Sequence, residues 1–250
     1  MRIAVAGGTG TIGAHAVDAA RAAGHDTVVL ARSAGVDLMS GAGLDEALEG
    51  VYAVIDTSNL KTLSERAASE FFTTASCRLL AAEGRHGVGH HVALSIVGID
   101  RAPYGYYEAK LAQEHVIEAG DRPWTILRAT QFHEFAEQML AGYGFAGIHF
   151  APKARSQPVA AREVGERLVA LAAADAVGHA RDLAGPREEQ IDDMVRRLAK
   201  AKGLRGPVVG VSLPGKQYRA MREGAVLPGP DADLGTQTFE EWLGEAVPAR

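Results

Sequence analysis

Three side chains in this sequence are of the types that can deliver a proton to a carbonyl oxygen: Ser95, Tyr106 and Lys110. A tyrosine hydroxyl can protonate the oxygen as hydride reaches the carbon. A free tyrosine is too weak an acid for this to run reversibly near neutral pH. A nearby ammonium stabilises the phenolate and lowers the tyrosine pKa. Tyr106 and Lys110 are four residues apart, so a helix sets both on one face. Ser95 stands eleven residues before Tyr106 and closes a strand-like run, where its hydroxyl could hold a substrate oxygen. Alone, a Tyr-x-x-x-Lys pair is often only a pair on a helix surface. Tyr104 and Tyr107 are rivals for the acid role. Tyr107 points elsewhere on the helix and reads as packing, and Tyr104 lies too far from Lys110 to share its face.

Such chemistry needs a hydride source, and the start of the chain suggests one. Arg2-Ile3-Ala4-Val5-Ala6 is a short apolar run that leads into Gly7-Gly8-Thr9-Gly10-Thr11-Ile12-Gly13. A helix-like stretch follows. A strand that turns through spaced glycines into a helix builds a pyrophosphate cradle, with the helix amides and dipole facing the anion. Gly7 permits the tight turn, Gly10 lets phosphates approach the backbone, and Gly13 lets the helix pack close to the sheet. Residues Gly7, Thr9, Gly10, Thr11, Ile12 and Gly13 are therefore expected to hold a dinucleotide. The competing reading is a glycine-rich turn with no ligand. The spacing fits both Gly8-x-Gly10-x-x-Gly13 and Gly7-x-x-Gly10-x-x-Gly13.

The second strand ends Leu30-Ala31-Arg32-Ser33. An acidic residue there would take the ribose hydroxyls of NAD. A guanidinium suits the additional 2′-phosphate of NADP(H), and Ser33 could add a hydroxyl donor. Arg32 could otherwise be a solvated surface charge. Asp37 could accept from the adenine amino group or could cap a helix. Thr57, Ser58 and Asn59 end another strand and are placed to touch cofactor ribose or phosphate, or serve as turn formers. Lys110 could hold the nicotinamide ribose as well as tune Tyr106.

These residues sit on a regular alternation. Strands are expected at 3–6, 26–31, 53–57, 91–95 and 125–128, with a further short one possible at 36–38. Helices are expected at 13–23, 44–48, 64–83 and 107–119. This pattern argues for a parallel sheet covered by helices on both faces. The continuous apolar character of Val28-Val29-Leu30 and Val54-Ile55 suits strands buried on both sides. Later, 142–147 reads as a loop, 162–174 and 188–202 as helices, 207–213 as a strand and 224–235 as a loop. Thr238 could cap a last helix through Leu243.

At 250 residues with 47% hydrophobic content, the chain can bury a sizeable core. The reading is an NADP(H)-binding core over 1–130. Residues 131–250 complete what is expected to be one structural domain and cover the substrate pocket. A net charge of −5 gives no support for a nucleic-acid surface. The single cysteine, Cys77, rules out an internal disulfide and a cysteine-based zinc cluster, and the histidines show no ligand spacing, so no metal is expected. No apolar run is long enough to cross a bilayer and no leader pattern opens the chain. A cytoplasmic protein, monomer or homodimer, is expected.

Taken together, Gly7-x-x-Gly10-x-x-Gly13, Arg32, Ser95 and Tyr106-x-x-x-Lys110 resemble the atypical short-chain dehydrogenase/reductases, and most closely their NmrA-like, NAD(P)H-binding branch. The runs Leu94-Ser95-Ile96-Val97-Gly98-Ile99-Asp100, Gly105-Tyr106-Tyr107-Glu108-Ala109-Lys110-Leu111-Ala112 and Pro123-Trp124-Thr125-Ile126-Leu127-Arg128-Ala129-Thr130-Gln131-Phe132 look like that branch. So do Gly185-Pro186 and Thr238-Phe239-Glu240-Glu241-Trp242-Leu243. The resemblance implies a doubly wound α/β Rossmann fold with NADP(H) and a small C-terminal substrate lobe. Its members differ widely in substrate, and some lack the tyrosine and act as redox-sensing regulators. The Ser-to-Tyr spacing here is slightly shorter than in many catalytic members.

Gln131, Phe132 and His133 follow the strand at 125–128 and could line the substrate pocket, with His133 a polar lining or second proton carrier. They could equally be the entry to the next helix. Met139, Tyr143 and Phe145 are possible apolar walls. The expected activity is NADP(H)-dependent reduction of a carbonyl or related group of a small molecule, with Tyr106 as proton donor. The alternatives are a non-catalytic NADP(H) sensor that binds a regulatory partner and, more remotely, a nucleotide-sugar epimerase-like enzyme.

Overall fold

A computed structural model describes residues 1–62, 64–102, 104–142, 144–145 and 147–247. The chain forms two compact units, one of Met1–Arg128 with Arg162–Arg181 and one of Ala129–Ala161 with Asp182–Arg250.

The first unit alternates strand and helix: β1 (Arg2–Ala6), α1 (Thr11–Ala22), β2 (Asp26–Leu30), α2 (Leu44–Ala47), β3 (Ala53–Asp56), α3 (Glu65–His86), β4 (His90–Ile96), α4 (Gly105–Glu118) and β5 (Trp124–Ala129). The strands run parallel in the order β2-β1-β3-β4-β5. Because β2 and β3 lie on opposite sides of β1, the chain reverses direction across the sheet there. That reversal opens a crevice at the carboxyl ends of β1 and β3. One face of the sheet packs Ala4, Ala6 and Val54 against Ala75, Leu79 and Ala82 of α3. Alternation along the strands turns Ile3, Val5 and Ile55 to the opposite face, and all three are fully buried.

Two glycines let helices approach at backbone distance. A Cβ at Gly105 would stand 2.6 Å from Glu65 Cβ, at the start of α3 and α4. Later in the chain come α5 (Phe135–Gly142), β6 (Gly144–Phe145), β7 (Ile148–Pro152), β8 (Arg155–Ser156) and α6 (Ala161–Ala172). A Cβ at Gly165 of α6 would stand 2.8 Å from Ala16 N of α1. A short strand, β9 (Gly178–His179), then pairs in parallel with the start of β5.

In the second unit, β10 (Leu183–Ala184), β11 (Glu189–Gln190), α7 (Ile191–Ala201), β12 (Val208–Val211), α8 (Lys216–Arg222), β13 (Asp233–Leu234) and α9 (Phe239–Ala246) follow α5 and β6 to β8. β7 pairs with β6 antiparallel and with β12 in parallel. β10 pairs with β13 in parallel. Met194, Val195 and Leu198 are the buried face of α7. Thr238 caps α9 through a reciprocal box, its hydroxyl accepting from Glu241 N while the Glu241 carboxylate accepts from Thr238 N.

Three expectations are corrected. The stretch at 142–147, read as a loop, contains β6 (Gly144–Phe145), which pairs with β7. Residues 36–38 form no strand; they lie in a loop closed by Asp37. The stretch at 224–235, read as loop, ends in β13. Strands of two residues carry no period, so their pairing is not visible in sequence. Among the described residues, no helix is long and apolar enough to cross a membrane, and no group of His, Cys, Asp or Glu could hold a metal ion.

Candidate active site

The glycine turn is built by exclusion. Gly7 has φ +71°, a left-handed conformation that side chains resist, and a Cβ there would meet Thr57 O at 2.8 Å. Its carbonyl accepts from Gly10 N at 2.8 Å, which closes the turn, and Gly10 O then accepts the first helical bond from Ala14 N. A Cβ at Gly13 would stand 2.1 Å from Gly7 O. Gly13 is thus needed for α1 to close on its own turn, whereas the sequence reading assigned it to helix–sheet packing. That packing role belongs to Gly8, where a Cβ would meet Val29 Cγ1 and Val5 O at 3.0 Å.

Thr9, Gly10 and Thr11 are exposed at the N-terminus of α1, and Ile12 anchors the turn inward. No acidic residue lies in the first turn of α1 and no side chain caps it. Its free amides therefore carry an uncancelled positive end. Leu30 O, the last carbonyl of β2, accepts from Gly7 N at 3.1 Å, so the end of β2 abuts the turn. Two residues on, Arg32 and Ser33 begin a 3-10 turn and are exposed. The Arg32 guanidinium has no hydrogen-bond or ion-pair partner among the described residues.

The remaining cofactor candidates have prior engagements. Asp37 Oδ1 accepts from Met39 N at 2.8 Å. Thr57 Oγ1 donates to Ala6 O at 2.8 Å, tying β3 to β1. Ser58 N donates to Asp56 Oδ1 at 2.8 Å, while the Ser58 hydroxyl is enclosed with no partner among the described residues. Only Asn59 of this group is exposed, and its side chain meets Tyr106.

Tyr106 is the second residue of α4, half-buried, with its hydroxyl donating to Asn59 Oδ1 at 2.8 Å. Its ring stands edge-on to Phe72 at 5.7 Å. Burial, reinforced by Tyr107, pushes its hydroxyl up to about 12 against the opposing pull of Asn59. Lys110 is 6% exposed. Its Nζ donates to Leu94 O at 2.8 Å and to Gln113 Oε1. Burial lowers it to about 8, although Asp56 and Glu114 favour its charge. Tyr106 and Lys110 share a helix face but their polar groups take different partners. The ammonium is turned to the interior and does not figure among the causes of the tyrosine's shift. Ser95 lies within β4, 3% exposed, and its hydroxyl is enclosed without a partner among the described residues. Tyr107 is buried, its ring tilted against that of Tyr104 at 4.4 Å.

The sequence reading named no role for Asp56 or Gln113. Gln113 lies three residues after Lys110, a helical spacing that could have drawn attention to it.

In the second unit, Gln131 Oε1 accepts from Ser156 Oγ at 3.0 Å, and Phe132 forms a parallel bridge with Val159. His133 is fully enclosed. Its Nε2 meets Gln237 O at 3.0 Å, and its ring lies 5.7 Å from Phe239 and 5.9 Å from Trp242. Met139 is half-buried and Phe145 is 81% exposed. Tyr143 lies outside the described residues.

A parallel sheet with a glycine cradle at its reversal point is a dinucleotide-binding fold, and comparison with known proteins agrees. The family model for NAD(P)H-binding proteins matches residues 32–173, more than half of the chain, and the chain belongs to this NAD(P)H-binding family. Similar solved structures include the NADPH-dependent quinone oxidoreductase QOR2 of Escherichia coli complexed with NADPH. It is 16% identical, with TM-score 0.71, covering 98% of this chain and 99% of that one. Triphenylmethane reductase of Citrobacter sp. complexed with NADP(H) is 16% identical, with TM-score 0.72, covering 98% and 100%. UDP-N-acetylglucosamine 4-epimerase from Bacillus cereus is 17% identical, with TM-score 0.70, covering 100% and 97%. At these identities the likeness concerns the fold, in keeping with the NmrA-like resemblance. Comparison with curated protein sequences yields no match.

Proposed function

We propose that this protein is an NADP(H)-dependent oxidoreductase that reduces a carbonyl or related group of a small molecule. The observation that carries the reading is the place of the Tyr106 hydroxyl. It sits at the carboxyl edge of the sheet on Asn59, three residues beyond β3, and Thr57 of that same segment abuts the glycine turn. The backbone of residues 7–13 would hold the pyrophosphate, and the unpaired Arg32 guanidinium would take the 2′-phosphate. When bound, the cofactor supplies a hydride to the acceptor carbon. The carbon–oxygen π electrons move to oxygen, and Tyr106 gives that oxygen its proton. Solvent then restores the tyrosine.

A hydroxyl held near 12 stays protonated throughout the working range. It is a weaker acid than free tyrosine, so it gives up its proton only as negative charge develops on the acceptor oxygen, an alkoxide more basic than the phenolate. For Ser95 to hold the substrate oxygen, its enclosed hydroxyl must first be uncovered.

The test is NADPH oxidation against aldehydes, ketones and quinones. Turnover in the parent that falls about 10²- to 10⁴-fold in Tyr106→Phe, with NADPH affinity retained, supports the reading. Undiminished turnover in that variant removes Tyr106 as the acid. A second reading, a non-catalytic NADP(H) sensor, is favoured by the inward turn of Lys110 away from Tyr106. Tight NADPH binding with no turnover on any acceptor selects it.

A further inference from the structure

Lys110 is anchored by a polar cluster that the reaction itself does not require. Gln113 Nε2 lies 3.0 Å from Asp56 Oδ2 and 3.0 Å from Ser76 Oγ, and its Oε1 faces Lys110 Nζ. A carboxylate only accepts and an ammonium only donates, so this amide has one workable orientation. Reversing it would set NH₂ against NH₃⁺ and carbonyl against carboxylate. The polar side chains are nearly enclosed: Asp56 and Gln113 are 2% exposed, and Ser76 is fully buried. The cluster joins four elements, with Asp56 from β3, Ser76 from α3, Leu94 from β4, and Lys110 and Gln113 from α4.

We propose that Gln113 is the positioning residue of Lys110: its amide, pinned by Asp56 and Ser76, clamps the ammonium between Gln113 Oε1 and the Leu94 carbonyl and keeps it charged inside the protein. This rests on the reading of Lys110 as part of the reductase site, and it adds the residue that decides where that charge stands.

The charge balance around Lys110 supports this. From β3 it faces Asp56, whose carboxylate is shared with Ser58 N and Gln113. From its own helix it faces Glu114, which is bound to Arg128 at 2.6 Å. From α3 it faces the Phe72 ring at 4.9 Å. The buried pair His91–Glu83 couples to Asp56 rather than to Lys110. Neither carboxylate accepts directly from Lys110. Among the described residues, the one side-chain oxygen that does so is that of Gln113.

The test needs neither turnover nor cofactor. The Lys110 ammonium is followed by ¹⁵N NMR across pH in the full chain, with Lys110→Met assigning its signal. In the parent the signal is protected from solvent exchange and titrates near 8. Gln113→Leu lowers that midpoint by about one pH unit or more, as expected for loss of a hydrogen bond to a charged group. Gln113→Glu, which keeps an acceptor, restores or raises it. An unchanged midpoint in Gln113→Leu, or an unprotected parent signal, overturns the proposal. If the leucine variant does not fold, Gln113→Met, which keeps the side chain's length without its oxygen, is titrated in its place and must show the same lowering. Should the reductase reading fail, NADPH assays fail while this titration is unaffected; should the clamp fail, the titration alone reports it.

Discussion

The two halves of the candidate site are built by different forces. The glycine turn is shaped by what cannot be there: a Cβ at Gly13 would lie 2.1 Å from Gly7 O. The Ser95, Tyr106 and Lys110 cluster is shaped by which partner each polar group finds. Tyr106 finds Asn59, Lys110 finds Leu94 and Gln113, and the Ser95 hydroxyl finds none. Steric exclusion acts between neighbours in sequence and leaves a pattern of residue types. Hydrogen-bond competition acts between residues far apart, and its outcome has no local signature.

Three substitutions probe this contrast. Gly13→Ala should have the largest effect, about 3 kcal/mol or more of stability, because backbone rather than a flexible side chain must yield. Urea unfolding measures the loss and NADPH fluorescence titration the accompanying loss of binding. A variant that folds and binds normally would show that the turn is less rigid than its contacts require. Arg32→Ala comes next. It should weaken NADPH binding roughly 10- to 100-fold and leave NADH nearly unchanged, as befits one charged contact to the extra phosphate. Equal losses for both cofactors would remove Arg32 from cofactor selection. The smallest effect belongs to Ser95→Ala. Removing a buried hydroxyl that makes no bond should change stability by less than about 1 kcal/mol, toward the stable side. A clear loss in thermal unfolding would mean that the hydroxyl has a partner in solution.

The same contrast explains what was legible in the sequence. Strands β1 to β5 of the first unit carry apolar runs such as Val54-Ile55. The buried parallel strands β1 and β3 leave that trace, whereas Val28 and Val29 of β2, at the end of the strand order, are only partly buried. The glycine spacing likewise announced the turn, though it could not say that Gly8 faces the sheet and Gly13 the turn. Asp37 was harder to place: an exposed acceptor and a loop clasp require the same residue, and Met39 N decides between them. The helical spacing placed Tyr106 and Lys110 on one face, yet the direction of the ammonium depended on Gln113 and Leu94, one on the same helix and one on a neighbouring strand. In the second unit, His133 could by sequence be pocket lining, a second proton carrier or the entry to the next helix. The rings of Phe239 and Trp242, more than a hundred residues later in the chain, make it core.

The contact of α6 with α1 bears on how the protein is made. Gly165 lies against the backbone of His15 and Ala16, in the helix that carries the cradle's amides at its N-terminus. During synthesis, the segment that covers this side of α1 emerges about 150 residues after it, so the cradle helix waits, half-dressed, for its cover. A fragment ending at Arg128 carries β1 to β4 and most of β5 but leaves the backbone of His15 and Ala16 without the helix that packs on it. The nucleotide half of this protein is contiguous in its chemistry but not in its chain.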